Sequence, residues 1–500
     1  MTNIHEEYIS TDTTTLRVER RSVGYIPARE RHGKPFSQFT LWFGANLQIT
    51  ALVTGALAYV LGGDVVWSIV GLFLGQLGGG TVMALHSAQG PRLGLPQMIS
   101  SRAQFGVYGA AIPLVLIILM YLGFSASGTL LAGQAVSHLF GAPSEIGIIA
   151  FGAMSAIAAI IGYRVIHAIG RWATVISSIT FTYLIVQFFI VADVGALFAI
   201  NEFSIPSFLL AAALSASWQM AYGPYVADYS RYLPKDSSEK QVFGWTLAGT
   251  VLSSQIAMTF GVLVAAYAGE QFDGNEVSTV VGLAGGGLIA SIVYIVIAFG
   301  KLAVNVLNTY GGFMSVVTAY SGFTGKAEIK QAARITAIVV MSVIAVLVAL
   351  WGRGQFLSAF SSFLLFLLTF FTPWSAINLI DFYWISKEKY DVPALSDPKG
   401  RYGAWNIPAL LAFGLGVLMQ LPFVATGFFE GPLVAALDGA DISWIVGLIG
   451  TSIVYWLLRP LDKREIPTET ILPAEDQLLA AEKSGHTLAD HKGPMNRAVR

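Results

Sequence analysis

The chain has 500 residues, of which 55% are hydrophobic and 12% charged, and its mean hydropathy is +0.65. About a quarter of the residues in an ordinary soluble domain are charged, so this composition excludes a soluble enzyme. A net charge of −1 provides no basic excess for nucleic acid, and the lack of cysteine excludes disulfides, iron–sulfur clusters and thiolate metal sites.

Two polar segments flank a long apolar region. Residues 1–35 carry six basic side chains, and residues 460–500 form a second polar, charged segment. The first apolar run, about 26 residues long, exceeds the core of a signal peptide. We therefore expect an uncleaved cytoplasmic N-terminal tail at 1–35, a membrane domain at 36–459 and a cytoplasmic C-terminal tail at 460–500.

The membrane domain is expected to be all-α and polytopic. A transmembrane helix needs about 20 predominantly apolar residues. Apolar runs bounded by charges or by Gly and Pro predict twelve such helices. They lie at 38–61, 65–86, 112–139, 145–163, 172–192, 207–227, 243–268, 285–319, 334–351, 356–384, 406–428 and 442–458.

The distribution of charge supports this count. With the N-terminus inside, 27 of the 29 Lys and Arg residues fall in the two tails and in alternate loops, as cytoplasmic segments require. The exceptions are Lys301 and Arg353, and the opposite loops hold ten acidic residues. We expect a multi-pass protein of the plasma membrane, of the bacterial inner-membrane type, with both termini cytoplasmic.

Soluble-type catalytic motifs are missing from the sequence. It contains no Walker loop and no histidine pair at i,i+4, which argues against an ATP-driven pump and a metalloprotease. We predict no enzymatic chemistry, no cofactor and no metal site. Gly71, Gly75 and Gly79 recur at four-residue spacing and predict close helix packing.

Two predicted helices carry signals for a break within the membrane. The first runs Leu41-Trp-Phe-Gly-Ala-Asn-Leu-Gln48, where Gly44 is the candidate break, and the sixth contains Gly223-Pro224. Glycine permits unwinding, and proline removes a backbone donor. A proline kink and a tolerated glycine are the simpler alternative. Irregular backbone at membrane depth is tolerated only beside protein or a wet cavity, so paired breaks indicate a midplane transport site.

Helices one and six occupy corresponding positions in two halves of five helices. An odd number of helices in each half gives the halves opposite orientations in the membrane. The sequence therefore predicts a five-plus-five inverted repeat, with halves at 38–192 and 207–384, followed by helices eleven and twelve at 406–458.

Polar side chains within the predicted helices suggest the type of solute. Amides offer donors and acceptors together, and aromatic rings offer stacking walls, which suits a neutral planar ring. Helix packing and interhelical hydrogen bonding are the alternatives for these residues. The candidates are Asn46, Gln48, Phe124, Trp218, Gln219, Tyr222, Asn305, Asn308 and Asn378.

Several motifs together resemble the nucleobase/cation symporter family, which includes purine-cytosine permeases and hydantoin, uracil and allantoin transporters. The resemblance spans residues 35–460 and implies twelve helices in the LeuT-like fold with alternating access. Its motifs are Pro35-Phe-Ser-Gln-Phe39, Trp42-Phe-Gly-Ala-Asn46, Gly90-Pro-Arg-Leu-Gly94, Ser101-Arg-Ala-Gln-Phe-Gly106, Ala227-Asp-Tyr-Ser-Arg-Tyr232, Asn305-Val-Leu-Asn-Thr-Tyr310 and Ile377-Asn-Leu-Ile-Asp-Phe-Tyr383.

The resemblance implies that the cargo stacks between aromatic residues of helices three and six, while amides of helices three and eight bind its edge. The helix-three aromatic, usually Trp, falls on Phe124, and the amide one turn later falls on Gly128. The helix-six aromatic is Trp218 or Tyr222, and the helix-eight amides are Asn305 and Asn308. The missing helix-three amide leaves the identity of the cargo open.

The coupling ion is the other departure from the family. Sodium-coupled relatives place adjacent hydroxyl residues on helix eight, where this chain has Ala298-Phe-Gly300 and then Lys301. A buried ammonium is itself a monovalent cation. Our hypothesis is that Lys301 takes the place of sodium, so that the coupling ion is the proton. Alternatively, Lys301 snorkels or pairs with Asp228 or Asp381.

The expected function is import of a nucleobase or similar planar heterocycle by cation symport. Asp228, Arg231 and Asp381 are expected at gates or helix ends. Alternatives are another cargo, such as thiamine or an amino acid, and less favoured, a channel or a receptor. The expected partners are the small-molecule substrate and membrane lipids, in a monomer or a weak homo-oligomer.

Overall fold

The computed structural model describes residues 24–161, 163–324, 331–474 and 476. Apart from the hairpin of β1 (Ala425–Thr426) and β2 (Phe429–Glu430), the regular structure of these residues is helical. The α-helices are α1 Phe36–Asn46, α2 Ile49–Val60, α3 Val65–Leu93, α4 Gln97–Ser100, α5 Arg102–Phe105, α6 Ala111–Phe140, α7 Ser144–Ile161, α8 Tyr163–Val191, α9 Val194–Ala199, α10 Ile205–Met220, α11 Gly223–Ser230, α12 Glu239–Ala268, α13 Glu276–Gly282, α14 Gly287–Thr324, α15 Gln331–Gly352, α16 Phe356–Leu379, α17 Ile407–Gln420 and α18 Ser443–Leu458.

Each of the twelve predicted transmembrane windows contains helix. Within the described residues, eight helical stretches are long and apolar enough to cross a membrane, or nine if the bent pair α1 and α2 is one span. That count takes α15 and α16 as one stretch, Gln331–Ile385. The pair α10 and α11 is interrupted, and α17 has only 14 residues. The all-α membrane architecture is confirmed, and twelve crossings remain a prediction.

Helix α3 shows how local sequence sets its bounds. The Asp64 carboxylate accepts a hydrogen bond from the Trp67 backbone N–H at 2.6 Å and so caps the first turn. The helix continues through Pro91 to Leu93, although the predicted second transmembrane helix ends at residue 86. The proline lies in the last turn, and the helix ends where Gly94 adopts a left-handed φ of 63°.

The glycine stripe on α3 packs against α10, as its spacing predicted. A Cβ on Gly71 would lie 2.7 Å from the Phe208 carbonyl oxygen, and one on Gly75 would lie 2.0 Å from that of Ala212. The two backbones therefore approach more closely than any larger residue allows.

The same close approach recurs between α2 and α12. A Cβ on Gly55 would lie 2.1 Å from the Met258 carbonyl oxygen, and one on Gly261 would lie 1.8 Å from that of Leu52. Helix α3, the second predicted span, thus packs on α10 of the sixth span, and α12, the seventh span, packs on α2 of the first. The second and seventh spans hold equivalent positions in the two halves. This pairing is the one that two equivalent halves of five helices produce, although the boundaries of the halves remain a prediction.

The described parts of both tails are ordered on one end of the bundle. The Arg31 guanidinium donates to the Pro91 carbonyl at 2.6 Å, and the His32 backbone N–H donates to the Tyr232 carbonyl at 2.6 Å. Near the C-terminus, the Asp476 carboxylate accepts from the Ala28 backbone N–H at 3.1 Å. The tails therefore join the ends of α3 and α11 to each other.

Asp381 forms the buried anchor of this end. It lies in a π-helical turn, Ile380–Ile385, that extends α16, and its side chain is fully buried. It pairs with the guanidinium of Arg464 at 2.6 Å and accepts from the hydroxyls of Tyr390 and Tyr455, each at 2.8 Å. Asp381 is therefore a helix-end anchor that holds the C-terminal segment.

Arg353, one of the two basic residues outside the expected cytoplasmic segments, also has a partner in the structure. It begins a short 3-10 turn after α15 and pairs with Glu145 at 2.7 Å, with both side chains partly exposed. The one basic residue among the acidic loops thus joins the end of α15 to the start of α7.

We predict that the Arg464→Met substitution lowers the free energy of unfolding by about 3–5 kcal/mol, because it leaves the Asp381 carboxylate buried without its cation. Thermal unfolding in detergent measures the change. The control is Arg92→Met, whose half-exposed pair with Glu239 is worth less than about 1 kcal/mol. Equal effects of the two substitutions would contradict this role of Asp381.

Candidate functional site

The first span is unwound between α1 and α2. Leu47 has φ −79° and ψ 73°, and Gln48 is extended with φ −146° and ψ 158°. The two helices meet at an angle of 65°. This break confirms the interruption expected in the first span.

Gly44 is not the point of unwinding, and the sequence prediction on this residue was wrong. It lies inside α1, where a Cβ would fall 2.4 Å from Cγ2 of Thr174. The glycine serves the close approach of α8 to α1, whereas the chain unwinds three residues later without a glycine or proline.

The interruption of the sixth span is milder. Helix α10 ends at Met220 and α11 begins at Gly223, but Ala221 and Tyr222 keep right-handed helical angles. Pro224 lies in the first turn of α11, where a missing donor is tolerated. Gly223 faces ring atoms, since a Cβ there would lie 3.3 Å from Cδ2 of His86.

Asn46 joins the two interrupted spans. Its fully buried side chain accepts hydrogen bonds from the Trp218 indole N–H at 2.7 Å and from the Tyr222 hydroxyl at 3.0 Å. Its amide nitrogen donates to the Trp42 carbonyl at 2.7 Å and to the Thr250 hydroxyl at 3.2 Å. The polar ends of both helix-six aromatics are therefore fixed at the end of α1.

The aromatic rings form a wall beside this junction. Phe124 of α6 meets Trp218 edge-on, with ring centroids 5.7 Å apart, and Trp218 meets Tyr222 edge-on at 6.0 Å. Trp42 lies on the other side of Tyr222 at 5.2 Å. Phe124, Trp218 and Tyr222 are thus brought together as the sequence predicted.

Lys301 reaches the same break from α14. Its ammonium donates to the Thr50 hydroxyl at 2.8 Å and to Oε1 of Gln48 at 3.0 Å, and the residue is only 2% exposed. Among the residues that the structure describes, no carboxylate lies within ion-pair distance of this ammonium. Lys301 therefore binds the unwound segment through neutral oxygens, and it pairs with neither Asp228 nor Asp381.

Gly128 leaves room for the side chains of α14. A Cβ on Gly128 would lie 2.2 Å from Oδ1 of Asn305 and 2.7 Å from Cε of Lys301. The amide nitrogen of Asn305 donates to the Ser125 carbonyl at 3.1 Å and to the Thr129 hydroxyl at 2.8 Å. The space that a side chain at position 128 would occupy is thus taken by Lys301 and Asn305 of α14.

Three buried polar atoms of α6 and α14 have no hydrogen-bond partner among the residues that the structure describes. They are Oδ1 of Asn305, Nδ2 of Asn308 and Oγ of Ser125. A buried polar atom left without a partner costs about 1–3 kcal/mol, so these atoms indicate a place where a ligand can supply the missing bonds. Ser125 follows Phe124 on α6, and Asn305 lies against Gly128.

Other predicted residues lie elsewhere. Gln219 faces α3 and α12, where it accepts from the Thr250 hydroxyl at 2.6 Å and donates to that of Ser254 at 3.2 Å. Asn378 accepts from the Gln89 amide at 2.9 Å. Both side chains are hydrogen-bonded between helices, which was the alternative considered for such amides.

Asp228 and Arg231 hold the C-terminal end of α11. Asp228 accepts from the Gln97 backbone N–H at 2.9 Å, and Arg231 donates to the Gly24 carbonyl at 2.8 Å. They connect α11 to the α4 turn and to the N-terminal segment, which fits the predicted helix-end role.

Sequence reasoning missed the hydroxyl residues around Lys301. Thr50 follows the break by two residues, and Ser177 and Thr180 of α8 line a cavity of about 30 Å³ that also borders Gln48 and Lys301. A cavity of this size holds at least one water molecule. Hydroxyl residues one turn apart on the fifth span were the available signal.

The sequence is similar to those of known permeases. A family model described as a permease for cytosine/purines, uracil, thiamine and allantoin matches residues 25–447. A curated putative purine-cytosine permease of Bacillus subtilis, YxlA, is 41% identical over 446 residues, which cover 89% of this chain and 96% of the relative. The purine-cytosine permease fcyB of Emericella nidulans is 24% identical and covers 89% of each chain.

Solved structures show the fold. The transporter Mhp1, of the nucleobase-cation-symport-1 family, in a closed conformation with bromovinylhydantoin bound, superposes with a TM-score of 0.70. That match has 18% identity and covers 88% of this chain and 95% of Mhp1. The inward-facing conformation of Mhp1 gives a TM-score of 0.72 at 17% identity. The chain therefore has the LeuT-like fold.

We predict that Asn46→Leu destabilises the protein more than Tyr222→Phe. The leucine leaves both aromatic donors without an acceptor, at a cost of about 1–3 kcal/mol each, whereas the phenylalanine removes one bond worth about 1 kcal/mol. Unfolding in detergent provides the measurement. The control is Asn201→Leu, which removes an exposed asparagine that is hydrogen-bonded to Trp67. If Asn46→Leu lowers the stability no more than this control does, the role of Asn46 in joining the two spans is refuted.

Proposed function

This chain belongs to the permease family for cytosine/purines, uracil, thiamine and allantoin, and from that premise we propose that it imports a nucleobase or similar planar heterocycle by proton symport. The protein is a multi-pass membrane transporter, and no covalent chemistry is required. The observation that carries the cargo proposal is the pair of buried amide atoms on α14, Oδ1 of Asn305 and Nδ2 of Asn308, that have no hydrogen-bond partner among the described residues.

The chemistry of these atoms suits an uncharged flat ring. Asn305 offers an acceptor and Asn308 a donor, while Phe124 and Trp218 offer ring surfaces. A ring with donors and acceptors on its edge satisfies the free amide atoms directly.

The proposal of proton coupling rests on the position of Lys301. Its ammonium binds Gln48 and Thr50 at the break, where it bridges α2 and α14. The corresponding stretch of helix eight, Ala298–Gly300, offers no hydroxyl ligand for sodium. Protonated Lys301 would stabilise the closed contact between the break and α14, and loss of the proton would release it.

Sodium is the alternative coupling ion, and one observation favours it. The hydroxyls of Ser177 and Thr180 border the cavity beside Lys301 and are hard oxygen ligands of the kind that alkali cations accept. A sodium site there would use the fifth span in place of the eighth. Separate proton and sodium gradients distinguish the two ions.

We further propose that both termini are cytoplasmic and that the protein resides in the plasma membrane, of the bacterial inner-membrane type. The two tails lie on the same end of the bundle as the basic loops. That end is the one that the positive-inside rule assigns to the cytoplasm.

We predict that proteoliposomes accumulate a labelled heterocycle when the outside is acidic, without sodium. The panel is cytosine, uracil, hypoxanthine, adenine and allantoin, with a sodium gradient imposed separately. Uptake driven only by sodium would contradict the role of Lys301, and uptake of none of the five would contradict the proposed cargo class, with thiamine-like vitamins tested next.

We also predict that Lys301→Met abolishes accumulation driven by the proton gradient and lets cargo only equilibrate, because a thioether cannot carry the proton. Exchange of internal for external cargo shows that the variant is folded. The control is Lys235→Met, which changes an exposed lysine. Full proton-driven accumulation by the Lys301→Met protein would show that coupling lies elsewhere.

A further inference from the structure

Gly128, Lys301 and Asn305 form one unit in the interior. Lys301 and Asn305 are four residues apart on α14 and therefore share a face. A Cβ on Gly128 would lie 3.0 Å from the Lys301 ammonium and 2.2 Å from Oδ1 of Asn305. Glycine inside a helix costs about 1 kcal/mol relative to alanine. The glycine is required because both polar groups converge on the surface of α6 at this residue.

The orientation of the Asn305 amide is fixed by its neighbours. Its nitrogen donates to the Ser125 carbonyl and to the Thr129 hydroxyl, which uses both of its hydrogens. A flipped amide would place two carbonyl oxygens against each other. The Oδ1 atom therefore faces Gly128 as a buried acceptor, and it has no partner.

The Lys301 ammonium has one hydrogen to spare. An ammonium donates three hydrogen bonds, and two go to Thr50 and Gln48. The remaining N–H and the free Asn305 oxygen are thus a positively charged donor and a neutral acceptor at the same point on α6.

We propose that Lys301 and Asn305 together bind one edge of the cargo, and that the preferred cargo is a ring with a lactam edge, in which a carbonyl oxygen adjoins a ring N–H. The carbonyl oxygen accepts from the ammonium, and the ring N–H donates to Oδ1 of Asn305. This inference rests on the proposed function and adds a specificity-determining role for Lys301.

The charge on Lys301 supplies the discrimination. A neutral amide would bind a lactam edge and an amino-substituted edge about equally, since each presents one acceptor and one donor. The carbonyl oxygen carries more negative charge than a ring nitrogen, and hydrogen bonds to charged groups are about twice as strong as neutral ones. Hypoxanthine, whose ring carries a lactam edge, should therefore bind about tenfold more tightly than adenine, whose ring carries none.

The proposed contact also links cargo to proton. If the carbonyl oxygen accepts from the ammonium, cargo binding favours the protonated lysine, and protonation favours cargo binding by the same factor. Acidification should therefore strengthen the binding of hypoxanthine more than that of adenine.

Equilibrium binding to the purified protein in detergent tests the preference without any gradient. Labelled hypoxanthine is displaced by hypoxanthine and adenine at fixed pH, and by uracil and cytosine, which both carry a lactam edge. The wild type should favour hypoxanthine about tenfold over adenine, and Lys301→Gln should reduce that ratio to about one. Lys235→Gln, at an exposed lysine, should keep the wild-type ratio.

Gly128→Ala provides a second test that keeps the charge. The new methyl group would displace Oδ1 of Asn305 and the lysine terminus, so the affinity for hypoxanthine should fall at least about tenfold. Gly414→Ala, where a Cβ meets nothing within 4 Å, is the matched control and should bind as the wild type does.

The outcomes separate the two proposals. Equal wild-type affinity for hypoxanthine and adenine, a preference for hypoxanthine that survives in Lys301→Gln, or unchanged binding in Gly128→Ala would each overturn the lactam inference while leaving a nucleobase transporter in place. Failure of the wild type to bind any of the four bases would refute the proposed function itself.

Discussion

The site depends on one constraint: a backbone that unwinds inside a membrane must find hydrogen-bond partners within the protein. The chain unwinds at Leu47 and Gln48, and side chains from distant helices meet that segment. Asn46 binds the aromatic residues of the sixth span, and Gln48 binds Lys301 of the eighth. The break is therefore the point where α10 and α14 are held together.

The surrounding helices position this junction through small residues. Backbone contacts at Gly75 and Gly261 bring α3 onto α10 and α12 onto α2, so the two interrupted spans are each clamped by a neighbour. At the other end, Arg464 and Asp381 fasten the C-terminal segment to α16.

Much of the fold could be predicted from the sequence, because runs of about 20 apolar residues and the segregation of charge are strong signals. The break itself was harder to locate. Gly44 is of a residue type that permits a helix break, but it serves as a packing contact. The chain instead unwinds at Leu47 and Gln48, without glycine or proline. A single sequence does not separate a glycine that bends from one that packs.

Some of the site residues could likewise be predicted from the sequence, and others could not. Trp218 and Tyr222 could be predicted because a spacing of four residues places them on one helix face. Gln219 is next to Trp218 in the sequence but points to another helix, and the partners of Lys301 lie 253 and 251 residues earlier in the chain. Such pairings depend on the packing of whole helices. The docking of Arg464 had no signal, because a charged tail reads the same whether it is free or bound.

The central claim is that a proton moves with the cargo through this junction. The most direct measurement is the internal pH of sodium-free proteoliposomes loaded with a pH-sensitive dye, followed as cargo is added outside. Our account predicts that cargo entry acidifies the lumen in the wild type and not in the Lys301→Met protein. Cargo entry without acidification in the wild type would contradict it.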